Sequence, residues 1–261
     1  MPKFFIEQTQ LRSEHGGKRL IDFYGEDAHH LARVLRMKPG DALTAADGQG
    51  RLYHLEITAL AADTVSALVL GEEVDYSEPT VRITLYQSIL KGEKMDWVLQ
   101  KGTEIGISAF VPYLSTRTVA RPEPKGYRKK QERWQKIVTA AAKQSERGLI
   151  PVVRPITPWT ELAELLAGHL TIVAWEGEQT LSLRAALAEQ ASTGPPAELS
   201  LIIGPEGGLA AAEVEQLVAW GAVPVSLGPR ILRAETAGPV AAALVLYHFG
   251  DLDPVPRVEE G

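Results

Sequence analysis

Two turns of this chain carry the groups best placed to do chemistry. Leu201-Ile202-Ile203-Gly204-Pro205-Glu206-Gly207-Gly208-Leu209 reads as a buried strand running into a rigid, glycine-rich turn. Ligands bind where strands end in open α/β folds, and glycines let a backbone approach them closely. Leu227-Gly228-Pro229-Arg230-Ile231-Leu232-Arg233-Ala234-Glu235-Thr236-Ala237 repeats the design, with a strand before it and a long apolar helix after it. The two turns could form two walls of one pocket, with Arg230, Arg233 and Glu235 at its edge. A plainer reading stays open, in which Glu235 and Thr236 cap the last helix and Arg233 offsets a carboxylate. The first turn is neither a Gly-x-Gly-x-x-Gly fingerprint nor a loop ending in Gly-Lys-Ser/Thr, so it does not point to phosphate cradling.

Composition narrows the chemistry further. The chain has no cysteine, which removes disulfides, thiol nucleophiles, cysteine-held zinc and iron–sulfur clusters together. Its histidines offer no metal site, because His29 and His30 are adjacent and point apart on a helix, and no His-x-x-x-His spacing occurs. With 261 residues and 45% hydrophobic content the chain can bury a large core, in one big domain or two smaller ones. Its apolar runs fall short of a membrane span, and Glu7 interrupts Met1-Pro2-Lys3-Phe4-Phe5-Ile6 before a signal-peptide core can form. The expectation is a soluble cytoplasmic protein with no membrane and no metal.

The net charge of −6 is unevenly spread. Residues 1–78 hold 8 basic and 13 acidic residues, 79–154 hold 15 and 6, and 155–261 hold 4 and 14. Only the middle is basic. Its densest run, Lys125 to Lys136, mixes cations with Tyr127 and Trp134, which suits phosphates and stacked bases as well as a solvated helix face. An acidic protein with one basic stripe fits a polyanion held at one place.

The elements that must position these groups fall into two patterns. Glu26 to Arg36 has helical spacing, and then the period changes to two: Leu43 and Ala45, Tyr53 to Ile57, and Val65 to Val69 alternate as strands, with Asp47-Gly48-Gln49-Gly50 as a turn. This reads as a small β-barrel-like domain over 1–75. From Thr80 strands alternate with helices, the signature of a mostly parallel sheet covered on both faces. The strands expected are Val81–Ser88, Ala109–Leu114, Leu170–Trp175, Leu199–Ile203 and Val223–Leu227. The helices expected are Glu93–Ile105, Tyr127–Arg147, Pro158–Ala167, Leu181–Gln190, Ala210–Trp220 and Thr236–Phe249. An α/β domain over 76–250 and an acidic tail over 251–261 complete the division, with Gln190 to Ala197 read as a loop.

Here the residues meet a known family. Gly204-Pro205-Glu206-Gly207-Gly208, followed by Leu227-Gly228-x-Arg230-Ile231-Leu232-Arg233-x-Glu235-Thr236-Ala237, resembles the second and third motifs of the SPOUT superfamily of S-adenosylmethionine-dependent RNA methyltransferases. Within it the likeness is to the ribosomal RNA small subunit methyltransferase E family, the 16S rRNA uracil-N3 methyltransferases. His30-Leu31, Val34-Leu35-Arg36, Gly40, Lys101 to Gly106, Pro112 to Arg117 and Lys143-Gln144-Ser145-x-Arg147 also match. Gly102 stands where alanine is expected, and Lys3 where an arginine is common.

The resemblance implies an N-terminal PUA-like β-barrel for RNA and a C-terminal α/β domain with a trefoil knot, a mostly parallel sheet and the cofactor pocket. It implies a homodimer acting on 16S rRNA or the small ribosomal subunit. S-adenosylmethionine is expected against Ile203, Gly204, Pro205, Glu206, Gly207, Gly208, Leu227, Gly228, Ile231, Leu232 and Thr236, with Trp175 and Glu176 at the preceding strand end. Uridine N3 must lose a proton, so a carboxylate beside it and a guanidinium near O2 or O4 are wanted. Glu235 and Arg233 are the candidates, with Glu206 as runner-up. For RNA the candidates are Arg36, Lys91, Lys101, Arg117, Arg128, Lys129 and Arg147. The alternatives are another RNA base or a ribose 2′-hydroxyl as target, a non-catalytic RNA-binding protein, or an α/β enzyme binding NAD or ATP.

Overall fold

The structure, a computed structural model, describes residues 3–13, 17–75, 77–191 and 194–254. Within the expected acidic tail, 255–261 lie outside the described residues, as do 192 and 193 of the expected loop. The described chain forms two units, 1–78 with 143–150, and 79–142 with 151–261.

The first unit is built on β1 (Lys3–Phe5), β2 (Leu11–Ser13), β3 (Arg19–Tyr24), α1 (Gly25–His29), a π-helical turn (His30–Val34), β4 (Ala42–Ala46), β5 (Arg51–Leu60) and β6 (Thr64–Val74). The strands form one six-stranded sheet in the order β1-β4-β5-β6-β3-β2, antiparallel except for β1 on β4. Period-two patterning puts Tyr53, Leu55 and Ile57 on one face, where they meet Phe4, Phe23, Leu31, Leu43 and Val65 in the core. The sequence reading did not include β1, β2 or β3. In β3 the residues Leu20, Ile21, Asp22 and Phe23 are all buried, so no alternation marks the strand. Asp22 is tolerated there because Arg12 donates to it at 2.5 Å and Ser66 at 2.6 Å. Burial pushes its carboxyl up, but Arg12 and Ser66 outweigh that and leave it below the ordinary value.

The stretch 143–150 joins this unit through a buried polar knot. Glu78 accepts the Arg147 guanidinium at 2.5 Å and the N–H groups of Gly148 and Leu149 at 2.9 and 3.0 Å. Lys3 is ion-paired with Asp75 and donates to the Glu146 carbonyl at 2.8 Å.

The second unit contains β7 (Arg82–Ser88), α2 (Lys94–Ile105), β8 (Ala109–Leu114), α3 (Tyr127–Gln144), β9 (Val152–Val153), β10 (Thr157–Pro158), α4 (Leu162–Leu166), β11 (Leu170–Ala174), α5 (Leu183–Ala191), β12 (Glu198–Ile203), α6 (Ala211–Ala219), β13 (Val223–Val225) and α7 (Ala234–His248). Its strands pair in the order β10-β8-β7-β12-β11-β13, with β9 also on β8. Every pairing is parallel. All strands therefore end at one edge, and the loops after β7, β8, β11, β12 and β13 emerge together there.

Two local packings explain residues that the sequence left odd. A Cβ on Gly102 would lie 2.8 Å from Ile107 Cδ1 and 2.9 Å from Phe110 Cε1, so these side chains fill the space an alanine methyl would take. Asp251 is not part of a free tail: its carboxylate accepts the Thr80 N–H at 2.8 Å and hydroxyl at 2.7 Å, pinning the chain after α7 to the residues before β7.

Candidate active site

The turn after β12 is shaped by its own glycines and held from three sides. Gly208 adopts φ +66°, and its N–H closes the turn on the Pro205 carbonyl at 2.9 Å. Below it, the buried Tyr113 hydroxyl donates to the Ile203 carbonyl at 3.0 Å, and Gln87 Nε2 donates to the Gly204 carbonyl at 3.3 Å. Burial pushes the Tyr113 phenol well above its ordinary value, so it stays a neutral donor. Arg117, from the loop after β8, donates to the Gly207 carbonyl at 3.0 Å. The buried Glu213 carboxylate bridges the same two loops, accepting the N–H groups of Thr116 and Ala210, each at 2.8 Å.

The loops after β11 and β13 form the opposite wall. Trp175 N–H donates to the Val225 carbonyl at 3.1 Å, and Ser226 and Leu181 are joined by a 2.8 Å backbone bond. Glu178 stiffens the turn between them: the Thr180 hydroxyl, then the Leu181 and Thr180 N–H groups, lower its carboxyl to about 2. Glu176 reaches across to the first turn, where a Cβ on Gly208 would lie 2.0 Å from its Oε1. The positive φ favours glycine at 208, and any side chain there would also displace the Glu176 carboxylate.

Two adjacent cavities lie between these walls. One, of about 540 Å³, runs between Trp175, Glu176 and the stretch Ser226–Leu232. The other, of about 390 Å³, runs between Ile203–Leu209 and the start of α7. They share Ala174, Glu176, Ile231, Leu232 and Ala237. The expected cofactor residues thus converge, with Leu227, Gly228 and Trp175 in the larger lobe and Ile203 to Gly208 in the smaller. Thr236 lines neither; its N–H closes the first turn of α7 on the Arg233 carbonyl at 2.8 Å.

The charged groups of the smaller lobe are Glu176, Glu206, Arg233, Glu235 and Lys94, and sequence reasoning missed the last. Lys94 Nζ lies 3.5 Å from Glu206 Oε1 and 3.4 Å from Glu235 Oε2. The signal was available, since Lys94 opens a helix directly after the ligand-edge end of β7. Glu206 Oε1 also accepts the Lys91 N–H at 3.0 Å. Burial pushes the Glu206 carboxyl up, but the N–H bonds and Lys94 outweigh that and leave it below its ordinary value. Glu235 Oε2 is buried and makes no hydrogen bond among the described residues. Arg233 is exposed at the N-cap of α7, so its side chain and that carboxylate sit at the same helix mouth.

The expected RNA residues fall in both units. Arg36, with φ +54°, is exposed in the first unit, and Lys91 and Lys129 are exposed in the second. Arg128 is exposed but pairs with Glu132 at 2.8 Å, and Lys101 pairs with Glu104 at 2.9 Å. Arg117 braces the glycine turn. Arg147 needs correction: it is 3% exposed with its guanidinium on Glu78, so it works inside the first unit rather than on phosphate. Trp134 is likewise in the core, 2% exposed with Lys130 Nζ 5.6 Å from its ring centroid, so its ring is covered rather than offered to a base.

Comparison with known proteins decides the family. Residues 77–246 match the RNA methyltransferase domain and residues 23–70 the RNA methyltransferase PUA domain. The chain is 34% identical over 249 residues to ribosomal RNA small subunit methyltransferase E of Bacillus subtilis, covering 95% of this chain and 96% of that one. It belongs to the ribosomal RNA small subunit methyltransferase E family. A family structure from Neisseria gonorrhoeae, bound to S-adenosyl methionine, superposes with TM-score 0.78 at 30% identity, over 95% of this chain and 97% of that one. Another similar structure, from Legionella pneumophila in complex with the same cofactor, gives TM-score 0.76 at 27% identity over 95% and 97%. The PUA domain and the parallel-sheet α/β domain of this family are the two units described above.

Proposed function

We propose that this chain methylates N3 of a specific uridine in 16S rRNA, using S-adenosylmethionine, and that Arg233 and Glu235 serve the chemistry. The observation that carries this assignment is the smaller lobe: a glycine-turn cavity whose far wall presents a guanidinium and a carboxylate oxygen free of hydrogen bonds.

The residues present fit the cofactor. The two adjacent lobes pair glycine-rich backbone and apolar side chains such as Trp175, Leu227, Ile231 and Leu232 with charged groups at the rim, as a nucleoside with a charged amino-acid tail demands. Ile203 to Gly208, Leu227, Gly228, Ile231 and Leu232 would hold it, with Trp175 and Glu176 beside them. When bound it supplies an electrophilic methyl on a sulfonium sulfur, which requires no metal.

The chain's own groups do the rest. Glu235 takes the proton as the N3–H bond breaks, leaving the electron pair on N3 for the methyl carbon; the methyl–sulfur bond would break in the same displacement, its pair returning to sulfur as a neutral thioether. Arg233 and the positive end of α7 favour the negative charge that develops over O2 and O4. Glu206 fixes the turn rather than accepting the proton, because the Lys91 N–H already occupies its Oε1 and its carboxyl is held low. The basic residues exposed on α3, with Arg36 in the PUA domain and Lys91, meet the RNA backbone. The trefoil knot, a homodimer with substrate near the subunit interface, and a cytoplasmic site of action belong to the same reading.

Transfer of labelled methyl from S-adenosylmethionine to 16S rRNA or small subunits lacking the modification tests it. Incorporation that requires Glu235 supports the assignment, and absence of incorporation into either substrate refutes it.

A further inference from the structure

We infer that Lys94 is a positioning residue for methyl transfer, its ammonium tying together the carboxylates contributed by the two glycine-proline turns. The inference rests on the function proposed above and deepens it. Glu206 comes from the loop after β12 and Glu235 from the first turn of α7, so nothing local in the backbone fixes their spacing. Both line one small lobe, where like charges repel. Lys94 stands between them, 3.5 Å from one and 3.4 Å from the other, and it alone among the described residues ion-pairs with either.

The manner of contact matters as much as the distance. Glu206 is bound firmly, with its Oε1 also taken by the Lys91 N–H, and Lys91 and Lys94 are successive anchors at the mouth of α2. Glu235 Oε2 is different. It feels the ammonium at 3.4 Å but makes no hydrogen bond, so its lone pairs remain open. A cation held by Glu206 thus steers Glu235 without occupying the oxygen that must take the N3 proton. Arg233, the other cation of this lobe, is exposed at the N-cap of α7 and left to the substrate. As a device for fold stability such a partly exposed triad is weak. Its loss should therefore be read in rate before it is read in melting.

The test compares wild type, Lys94→Met, which keeps the aliphatic stem, and Lys94→Arg, which keeps the charge. Single-turnover methylation of unmodified small subunits is measured at saturating S-adenosylmethionine, alongside cofactor affinity by calorimetry and thermal melting. Lys94→Met should lose about tenfold or more in rate while cofactor affinity stays within about threefold and melting is nearly unchanged. Lys94→Arg should recover most of the lost rate. A Lys94→Met enzyme at wild-type rate, one whose loss is wholly accounted for by weaker cofactor binding, or one that arginine does not rescue, overturns the inference. If Lys94→Met does not fold, Lys94→Gln carries the same comparison. A wild-type protein that transfers no methyl to uridine N3 refutes the parent reading instead, so the two failures are distinct.

Discussion

Arg117 donates to the Gly207 carbonyl at 3.0 Å, so a cation of the basic segment braces the glycine turn. Arg117→Ala should weaken S-adenosylmethionine binding by roughly fivefold, about 1 kcal/mol for a solvent-exposed charged hydrogen bond. The salt dependence of RNA binding should barely move. Calorimetric titration at two ionic strengths measures both, and a variant that loses RNA affinity with cofactor binding intact would return Arg117 to the RNA surface.

The two adjacent glycines should respond differently. At Gly207 an added Cβ meets no protein atom closer than Arg117 Cβ at 3.7 Å, so Gly207→Ala should leave the melting temperature nearly unchanged. At Gly208 the φ of +66° costs about 1 kcal/mol for a non-glycine residue, and Glu176 must also move. Gly208→Ala should lower both melting temperature and cofactor affinity. Equal behaviour of the two variants in melting and titration would count against this turn geometry.

Acid should loosen the pocket through Glu206. Its folded-state carboxyl lies below the ordinary 4.5, so the tie to Lys91 and Lys94 contributes fully above that value and is lost as pH falls through the folded one. Cofactor affinity should hold from neutrality down past pH 4.5 and fall only as pH drops through the lowered folded value. Glu206→Gln should bind more weakly at neutral pH and lose that acid dependence. An acid fall that persists unchanged in Glu206→Gln assigns it to another group.

RNA affinity should fall steeply with salt. Replacing Arg128, Lys129 and Lys130 by alanine should flatten the log–log slope by roughly 2, since each phosphate contact contributes about 0.7 to 0.9. Arg147→Ala should leave the slope alone and instead destabilise the protein by about 3 kcal/mol, because it removes the buried partner of Glu78. Filter binding across a salt series and denaturant melts separate the two, and a reversed pattern contradicts the placement of both.

Much of this was legible because chemistry and periodicity agree. The parallel strands and the two glycine-proline turns show in short apolar runs that end in glycine, and the turns do line one pair of cavities. β3 was hidden because both of its faces are buried, with Asp22 neutralised by partners far along the chain. Trp134 looked like an RNA group because a count of charges and rings cannot tell which side of a helix faces the core, and Arg147 because its partner Glu78 lies 69 residues away, past the end of α3 at Gln144. Lys94 was passed over although it opens α2 just past the end of β7; what spacing along the chain does not show is that the loop after β12 and the start of α7 bring Glu206 and Glu235 to it.

Arg233→Ala and Glu235→Gln should slow single-turnover methyl transfer by about 10²-fold or more with little change in S-adenosylmethionine affinity, as groups acting in the transition state do. If Glu235→Gln melts the protein and keeps its rate, Glu235 is a helix-terminal residue and the proton acceptor lies elsewhere.

The most direct measurement is to incubate purified protein with S-adenosylmethionine and small-subunit RNA lacking the modification, then digest the RNA and identify the methylated nucleoside and its position by mass spectrometry. N3-methyluridine at a single 16S position, formed by wild type and sharply reduced with Glu235→Gln, is the result this account predicts. A methyl on a ribose 2′-oxygen or on another base, or no methyl at all, would contradict it.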